Sequence, residues 1–212
     1  MRSNVIEAYK QKLKLSETQR DVLVGLLLGD GCLETQNAGG TYRLKIEYSK
    51  KSEIYCRNIY EIFNEWVLTP PRIKIKTNGE HRSENIAFST VSHGAFRFYA
   101  QQFYRNGKKS VPGQLRKLLT PRGLAYWYMD DGSLKSKESK GVILNTQGFE
   151  RADVGKLIDV LNEKFELQAW ERKQKDGFQI YISGQSYEDF VGLIDEWIFP
   201  SMRYKIPRTR RT

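Results

Sequence analysis

Val22-Leu23-Val24-Gly25-Leu26-Leu27-Leu28-Gly29-Asp30-Gly31 is an apolar run that closes on an acid and a glycine. Leu124-Ala125-Tyr126-Trp127-Tyr128-Met129-Asp130-Asp131-Gly132 closes in the same way, with Asp131 standing 101 residues after Asp30. An apolar helix ending on an acid and a glycine delivers a carboxylate to one defined place. Two such helices deliver two carboxylates. Beside a basic surface, that pairing points to metal-assisted cutting of a phosphodiester, because a hard divalent cation takes oxygen ligands. Read singly, an Asp-Gly pair is an ordinary turn signal, so the rest of the chain has to decide.

The duplication extends beyond the two runs. Ile59-Tyr60-Glu61-Ile62-Phe63-Asn64-Glu65 aligns with Leu157-Ile158-Asp159-Val160-Leu161-Asn162-Glu163 at an offset of 98. Ile86-Ala87-Phe88, with Ser92 and Phe96, aligns with Ile180-Tyr181-Ile182, Ser186 and Phe190 at an offset of 94. Lys109-Ser110-Val111-Pro112 is echoed by Lys205-Ile206-Pro207. The order of features stays fixed while the offset shrinks, as loop deletions in a tandem duplication would make it do.

Charge narrows the partner. The 212 residues carry a formal +10, and such an excess of Lys and Arg favours a polyanion. In Tyr42-Arg43-Leu44-Lys45-Ile46-Glu47-Tyr48 the charged residues alternate with apolar ones, the pattern of a strand with one face on a core. Arg72-Ile73-Lys74-Ile75-Lys76 repeats it, and Trp170-Glu171-Arg172-Lys173-Gln174-Lys175 followed by Asp176-Gly177 and Phe178-Gln179-Ile180 reads as a hairpin. Strands that expose Arg, Lys and Gln can lie in a major groove and read base edges. Arg43, Lys45, Arg72, Lys74, Lys76, Arg172, Lys173 and Gln179 are the candidate DNA-binding residues.

Other classes recede. No apolar stretch reaches the roughly 18 residues of a membrane span, and the first residues lack the apolar core of a signal peptide. Cys32 and Cys56 are too few for a disulfide framework or a zinc site and read as reduced thiols. His81 and His93 fall in polar stretches and read as solvated positions.

The first half reads as helix 17–29, a loop at 36–40, strand 41–49, helix 52–66, strands 72–77 and 84–90, and helix 93–105. The second reads as helix 121–130, strand 141–147, helix 150–165, strands 168–174 and 178–183, and helix 186–198. Ser16-Glu17-Thr18-Gln19 supplies a helix start, and Pro121 sits in the first turn after Thr120. The connection is expected at 107–121 as a solvated loop. Trp127 and Tyr128 read as packing residues rather than stacking platforms for bases.

With these features together, the chain resembles the LAGLIDADG homing endonucleases of the single-chain, two-motif type. Leu23-Val24-Gly25-Leu26-Leu27-Leu28-Gly29-Asp30-Gly31 matches the nine-residue signature with Leu28 in place of its first acid, and residues 124–132 are a looser copy. Glu65-Trp66-Val67-Leu68-Thr69-Pro70-Pro71 and Leu144-Asn145-Thr146-Gln147 are similar to the branch found in organellar ribosomal-RNA introns. The resemblance spans residues 14–207. It implies an α+β fold of two pseudo-symmetric αββαββα-like halves, 14–112 and 113–207, with tails at 1–13 and 208–212. The halves are expected to pack through the motif helices, with Gly25 and Ala125 allowing close approach, and their antiparallel sheets to form a DNA-binding saddle.

The same resemblance assigns the site. Asp30 and Asp131 become the metal-binding pair, with Gly29 and Asp130 contributing backbone carbonyls. Lys109 (or Lys108) and Lys205 become the basic residues near the scissile phosphate, and Glu47 and Asn145 line the pocket. It implies Mg²⁺, an asymmetric double-stranded DNA target, a monomer, and no membrane. Organellar residence follows if the chain is intron-encoded, and prokaryotic cytoplasm otherwise. The rival from another class is a maturase that binds intron RNA on the same scaffold without cutting.

Overall fold

Capping chemistry starts the first long helix. Ser16 Oγ accepts from the Gln19 amide at 3.2 Å, and Gln19 Oε1 accepts from the Ser16 amide at 3.0 Å, a reciprocal capping box. The second motif helix is capped by Thr120, whose hydroxyl accepts from Gly123 N–H, with Pro121 in the first turn. The computed structural model describes residues 3–78 and 81–207; the side chains of residues 3, 76, 78 and 81 and the basic end 208–212 lie outside the described residues. In chain order the elements are α1 (Ser3–Lys10), α2 (Glu17–Leu28), β1 (Cys32–Glu34), β2 (Arg43–Ser49), α3 (Glu53–Ile62), β3 (Arg72–Asn78), β4 (His81–Ser89) and α4 (Arg97–Phe103). Next come β5 (Tyr104–Arg105), β6 (Lys108–Lys109), α5 (Leu115–Leu118), α6 (Pro121–Asp131), β7 (Gly132–Leu134), β8 (Val142–Leu144), α7 (Arg151–Phe165), β9 (Ala169–Gln174), β10 (Gly177–Ile182) and α8 (Tyr187–Ile194).

The chain forms two compact units, residues 1–20 with 30–100 and residues 21–29 with 101–212. In the first, an antiparallel sheet runs in the order β1-β2-β4-β3. Leu44, Ile46 and Tyr48 of β2 are buried while Arg43, Lys45 and Glu47 stand on the opposite face. The apolar face meets α3, where Tyr48 lies 5.4 Å from Tyr55 and Tyr60 lies 5.8 Å from Phe88. Buried Gln19 is fully engaged, donating to the Ile62 carbonyl and to Glu65 and accepting from Trp66 Nε1. Residues 3–10, expected in a tail, form α1, and Tyr9 donates its hydroxyl to the Glu65 carbonyl. His93, expected to be solvated, is half-buried; its Nδ1 accepts from the Ala95 amide and its ring lies 5.3 Å from Trp66.

Neither cysteine is in a disulfide. Burial pushes the Cys56 thiol up to about 12, so its reactive thiolate is scarce at neutral pH. A thiol reagent at pH 8 is therefore expected to modify half-buried Cys32 in the native protein and to reach Cys56 only after denaturation. Equal native rates at both thiols would contradict this.

The second unit repeats the sheet as β7-β8-β10-β9. Its helix α7 is tied to β9 by Asn162, which accepts from the Ala169 amide at 2.8 Å and donates to the Ala169 carbonyl at 3.0 Å. The β9–β10 hairpin pairs Gln174 with Gly177, so Lys175 and Asp176 form the loop and Gly177 takes φ 137°, a value that favours glycine. Residues 21–29 of α2 pack on α6. A Cβ at Gly25 would lie 2.3 Å from the Gly123 carbonyl oxygen and one at Gly123 3.0 Å from the Asp21 carbonyl oxygen, so Gly25, as expected, and Gly123 admit this approach. Asp21 and Arg122 join the same two segments by an ion pair at 3.2 Å. Trp127 and Tyr128 are wholly buried, and Tyr128 packs edge-on against Phe190 of α8 at 5.0 Å.

Residues 107–121 are a packed strap rather than a solvated loop: Val111, Leu115 and Leu119 are buried, and α5 occupies part of it. The αββαββα order expected of each half is present, α2-β1-β2-α3-β3-β4-α4 and α6-β7-β8-α7-β9-β10-α8. Short β1, two residues after Asp30, and β7, directly after Asp131, complete it.

Candidate catalytic and nucleic-acid-binding site

Each motif helix delivers its acid as the apolar run predicts. Seven consecutive residues from Val22 to Leu28 are buried, Gly29 is half-buried and Asp30 is exposed. In the second copy Leu124 to Met129 are buried, and Asp130 and Asp131 are half-buried at the helix end. Within the second unit, Gly29 and Asp130 occupy equivalent motif positions and abut: a Cβ at Gly29 would lie 2.5 Å from Asp130 Oδ2. A side chain at residue 29 would displace Asp130.

Two lysines address these helix ends. Lys109 Nζ donates to the Gly29 carbonyl at 2.5 Å. Lys205 Nζ donates to the Met129 carbonyl at 2.5 Å and to that of Asp130 at 3.0 Å. Helix C-terminal carbonyls carry partial negative charge and attract cations, so an ammonium there is electrostatically favoured. Lys108 is exposed on the neighbouring position of β6, and Lys109 is the residue that reaches the motif.

Different anchors hold the two lysine-bearing segments. Val111 N–H, two residues after Lys109, donates to buried Asp153 Oδ2 at 3.0 Å, while Lys156 Nζ donates to Asp153 Oδ1 at 2.6 Å. Burial raises the Asp153 carboxyl, but the Lys156 ammonium and the Val111 amide more than offset that and hold it below the usual range. On the other side, Tyr128 donates to the Lys205 carbonyl at 2.6 Å and Tyr187 to the Pro207 carbonyl at 2.8 Å.

A carboxyl held low contributes stability above its unfolded pKa of about 3.9 and loses it as pH falls through the folded value. Asp153→Asn is therefore expected to lower stability by on the order of 1–2 kcal/mol at pH 7. The gap to wild type should shrink toward pH 3 in thermal melts. A constant gap would assign the loss to packing instead of charge.

In the first unit, Asp30, Lys45, Glu47 and Asn85 line a pocket of about 300 Å³ with Cys32, Tyr48 and Ser49. Asn85 Nδ2 donates to Glu47 Oε1 at 2.8 Å, and Lys74 Nζ stands 3.9 Å from Glu47 Oε2. In the second unit, Asn145 donates both its backbone N–H, at 3.0 Å, and its Nδ2, at 2.7 Å, to the Asp131 carbonyl. Gln179 Nε2 donates to Asn145 Oδ1 at 2.7 Å. Sequence reasoning singled out Glu47, Asn145 and Gln179 but missed Asn85. The signal existed, since Asn85 precedes Ile86 as Gln179 precedes Ile180 in the repeat.

The basic strand residues sort by register. Arg43, Lys45, Glu47, Arg72 and Lys74 share one face of the first sheet, with Glu34 bridging Arg43 at 3.0 Å and Lys45 at 2.9 Å. These contacts lower the Glu34 carboxyl, led by the Lys45 hydrogen bond, and raise Lys45 through the same pair. The side chain of Lys76 lies outside the described residues. In the second sheet Arg172 pairs across from Gln179, whereas Lys173, one residue on, leaves the opposite face beside Phe178. Among the described residues no cluster of three or more His, Cys, Asp or Glu side chains could hold a metal ion, so any ion here relies on few carboxylates and on carbonyl or substrate oxygens.

Residues 20–190 match the model of the LAGLIDADG DNA endonuclease family, and the chain belongs to that family. It is similar to "Probable intron-encoded endonuclease 1" of Wickerhamomyces canadensis, 33% identical over 96% of this chain and 90% of that one. The solved structure of the homing endonuclease I-WcaI bound to its DNA recognition sequence has a TM-score of 0.92 at 32% identity, covering 98% of this chain and 94% of that one. "Cytochrome b mRNA maturase bI2" of Debaryomyces hansenii is 30% identical over 97% of this chain and 78% of that protein. No helix among the described residues is long and apolar enough to cross a membrane.

Proposed function

We propose that this protein is a monomeric, site-specific endonuclease that hydrolyses both strands of a long asymmetric DNA target with a divalent cation, Mg²⁺ in the first instance. The observation that carries the reading is the pair of lysines at equivalent motif ends, Lys109 on the Gly29 carbonyl and Lys205 on the Asp130 carbonyl. Similarity over nearly the whole chain to a homing endonuclease solved on its DNA recognition sequence supports the substrate class. The halves 14–112 and 113–207 are read as the duplicated units of one gene, and an intron-encoded organellar origin fits the relatives.

Asp30 and Asp131, with the Gly29 and Asp130 carbonyls, offer the hard oxygen donors that Mg²⁺ prefers. The ion, when bound, polarises the phosphate and lowers the cost of charge on the departing oxygen. Glu47 in the first unit and Asn145 in the second each orient a water, whose oxygen forms a new bond to phosphorus as the bond from phosphorus to the 3′ oxygen breaks. The 3′ oxygen takes a proton, leaving a 3′-hydroxyl and a 5′-phosphate. Lys109 and Lys205 stabilise the charge that develops on the phosphate oxygens. Arg43, Lys45, Arg72, Lys74 and Arg172 contact backbone and base edges in the major groove.

A second reading, an intron-RNA-binding maturase, is favoured by the similarity to the Debaryomyces hansenii protein. The deciding experiment incubates the protein with a library of randomised duplexes, with Mg²⁺ or with EDTA, beside group I intron RNA. Double-strand cuts that need Mg²⁺ support the endonuclease. RNA binding with no DNA cutting under any metal supports the maturase.

A further inference from the structure

Two amides outside the metal-binding and lysine sets stand on corresponding strands of the two units, two residues apart in ladder register. Gln179 lies one step past the Ile180–Leu144 pair, beside Asn145, whereas Asn85 pairs with Ser49, two residues from Glu47. Asn85 is on β4 and Gln179 on β10, the third strands of two ladders with the same order, each directly before the isoleucine that opens the repeated apolar triplet. Both are half-buried, and each donates one side-chain N–H to a pocket residue: Asn85 to Glu47 at 2.8 Å, Gln179 to Asn145 at 2.7 Å.

We propose that Asn85 and Gln179 are positioning residues that fix the water-orienting side chains Glu47 and Asn145; this rests on the endonuclease reading above. The donor is common to both units although the acceptor is a carboxylate in one and an amide oxygen in the other. A neutral amide suits both, because it restrains Glu47 without neutralising it. In the second unit the consequence is sharper. Asn145 could present either face of its amide, but its Nδ2 is committed to the Asp131 carbonyl at 2.7 Å and its Oδ1 to Gln179. Gln179 thereby fixes which atom of Asn145 faces which way, and through Asn145 it is linked to the backbone of the motif acid. A Gln179 engaged in this way acts inside the sheet's polar network before it acts on a base. Partners of this kind, behind the groups that touch metal or substrate, typically cost about 10- to 100-fold when removed.

The probe is a duplex recovered from a randomised library by binding to the wild-type protein in EDTA, its two strands carrying different end labels. Cleavage is started with Mg²⁺ and each strand is followed separately for wild type, Asn85→Ala and Gln179→Ala. Each variant is expected to slow one strand by about tenfold or more, a different strand in each case, so that a nicked duplex accumulates. Affinity in EDTA should stay within about twofold, the behaviour of a residue that acts on the chemical step and not on binding. Equal slowing of both strands, or lost affinity with unchanged cleavage, would overturn the proposal and make these amides structural or base-reading groups. If an alanine variant does not fold, Asn85→Asp and Gln179→Glu carry the test, since they keep the shape and remove the donor. A wild-type protein that cuts neither strand would sink the endonuclease reading itself; wild-type cutting with unaltered variants sinks the positioning role alone.

Discussion

Asp131→Asn is expected to leave a folded protein that binds its DNA target and does not cut it, and Asp30→Asn to behave alike. Asparagine keeps the size of the side chain and removes its charge, so the helix end stays in place while its affinity for a hard cation goes. The Asp131 backbone is held independently of its carboxylate, since its carbonyl accepts twice from Asn145. The loss therefore falls on the reaction. A rate reduction of about 10³-fold or more corresponds to about 4 kcal/mol of transition-state stabilisation, within what a bound metal supplies. The checks are single-turnover cleavage in Mg²⁺ and fluorescence anisotropy in EDTA. A variant that cuts within about tenfold of wild type would return that aspartate to the role of a turn residue.

Gly25→Ala is expected to be the most destabilising single methyl addition at a glycine of the motif helices. The added carbon would lie 2.3 Å from the Gly123 carbonyl oxygen and 2.8 Å from Tyr126 Cβ, so no side-chain rotation relieves it and the helices must part. Overpacking of this kind costs about 1–3 kcal/mol in ordinary cores, and a backbone obstacle puts it at the upper end or beyond. At about 2–4 °C per kcal/mol for a chain of this size, the melting temperature should fall by roughly 10 °C. Gly155→Ala in α7 is the control, because a Cβ there meets nothing within 4 Å. It should stabilise by up to about 1 kcal/mol through helix propensity alone. A Gly25→Ala protein as stable as wild type would mean that α2 and α6 are not closely packed.

The features legible in the sequence are those with local causes. The apolar runs, the Ser16 and Thr120 caps and the alternation of Arg43 to Tyr48 each announce their element, and the repeat gave the two ladders their common order. What stayed hidden depends on contacts distant in sequence. Residues 3–10 become a helix alongside Tyr9's bond to the Glu65 carbonyl. The strap at 107–121 looks polar, yet it buries Val111, Leu115 and Leu119 and fastens to Asp153. The strand expected at 141–147 stops at Leu144 because Asn145 turns its amide to Asp131. Asn85 was overlooked because nothing local marks an asparagine as the donor to Glu47; strand register does that.

Helix α2 is divided between the two compact units: its start at Glu17 to Arg20 belongs to the first and residues 21–29 to the second. The sequence repeat and the packing therefore disagree about where one piece ends. A chimera assembled at the repeat boundary would supply α6 with a foreign 21–29 segment facing Gly123 and Arg122. Compatibility between recombined parents is then decided at Asp21, Gly25 and Gly29, far from the splice. Transplanting a recognition sheet from one relative to another becomes a matter of matching a helix surface, not of choosing a linker.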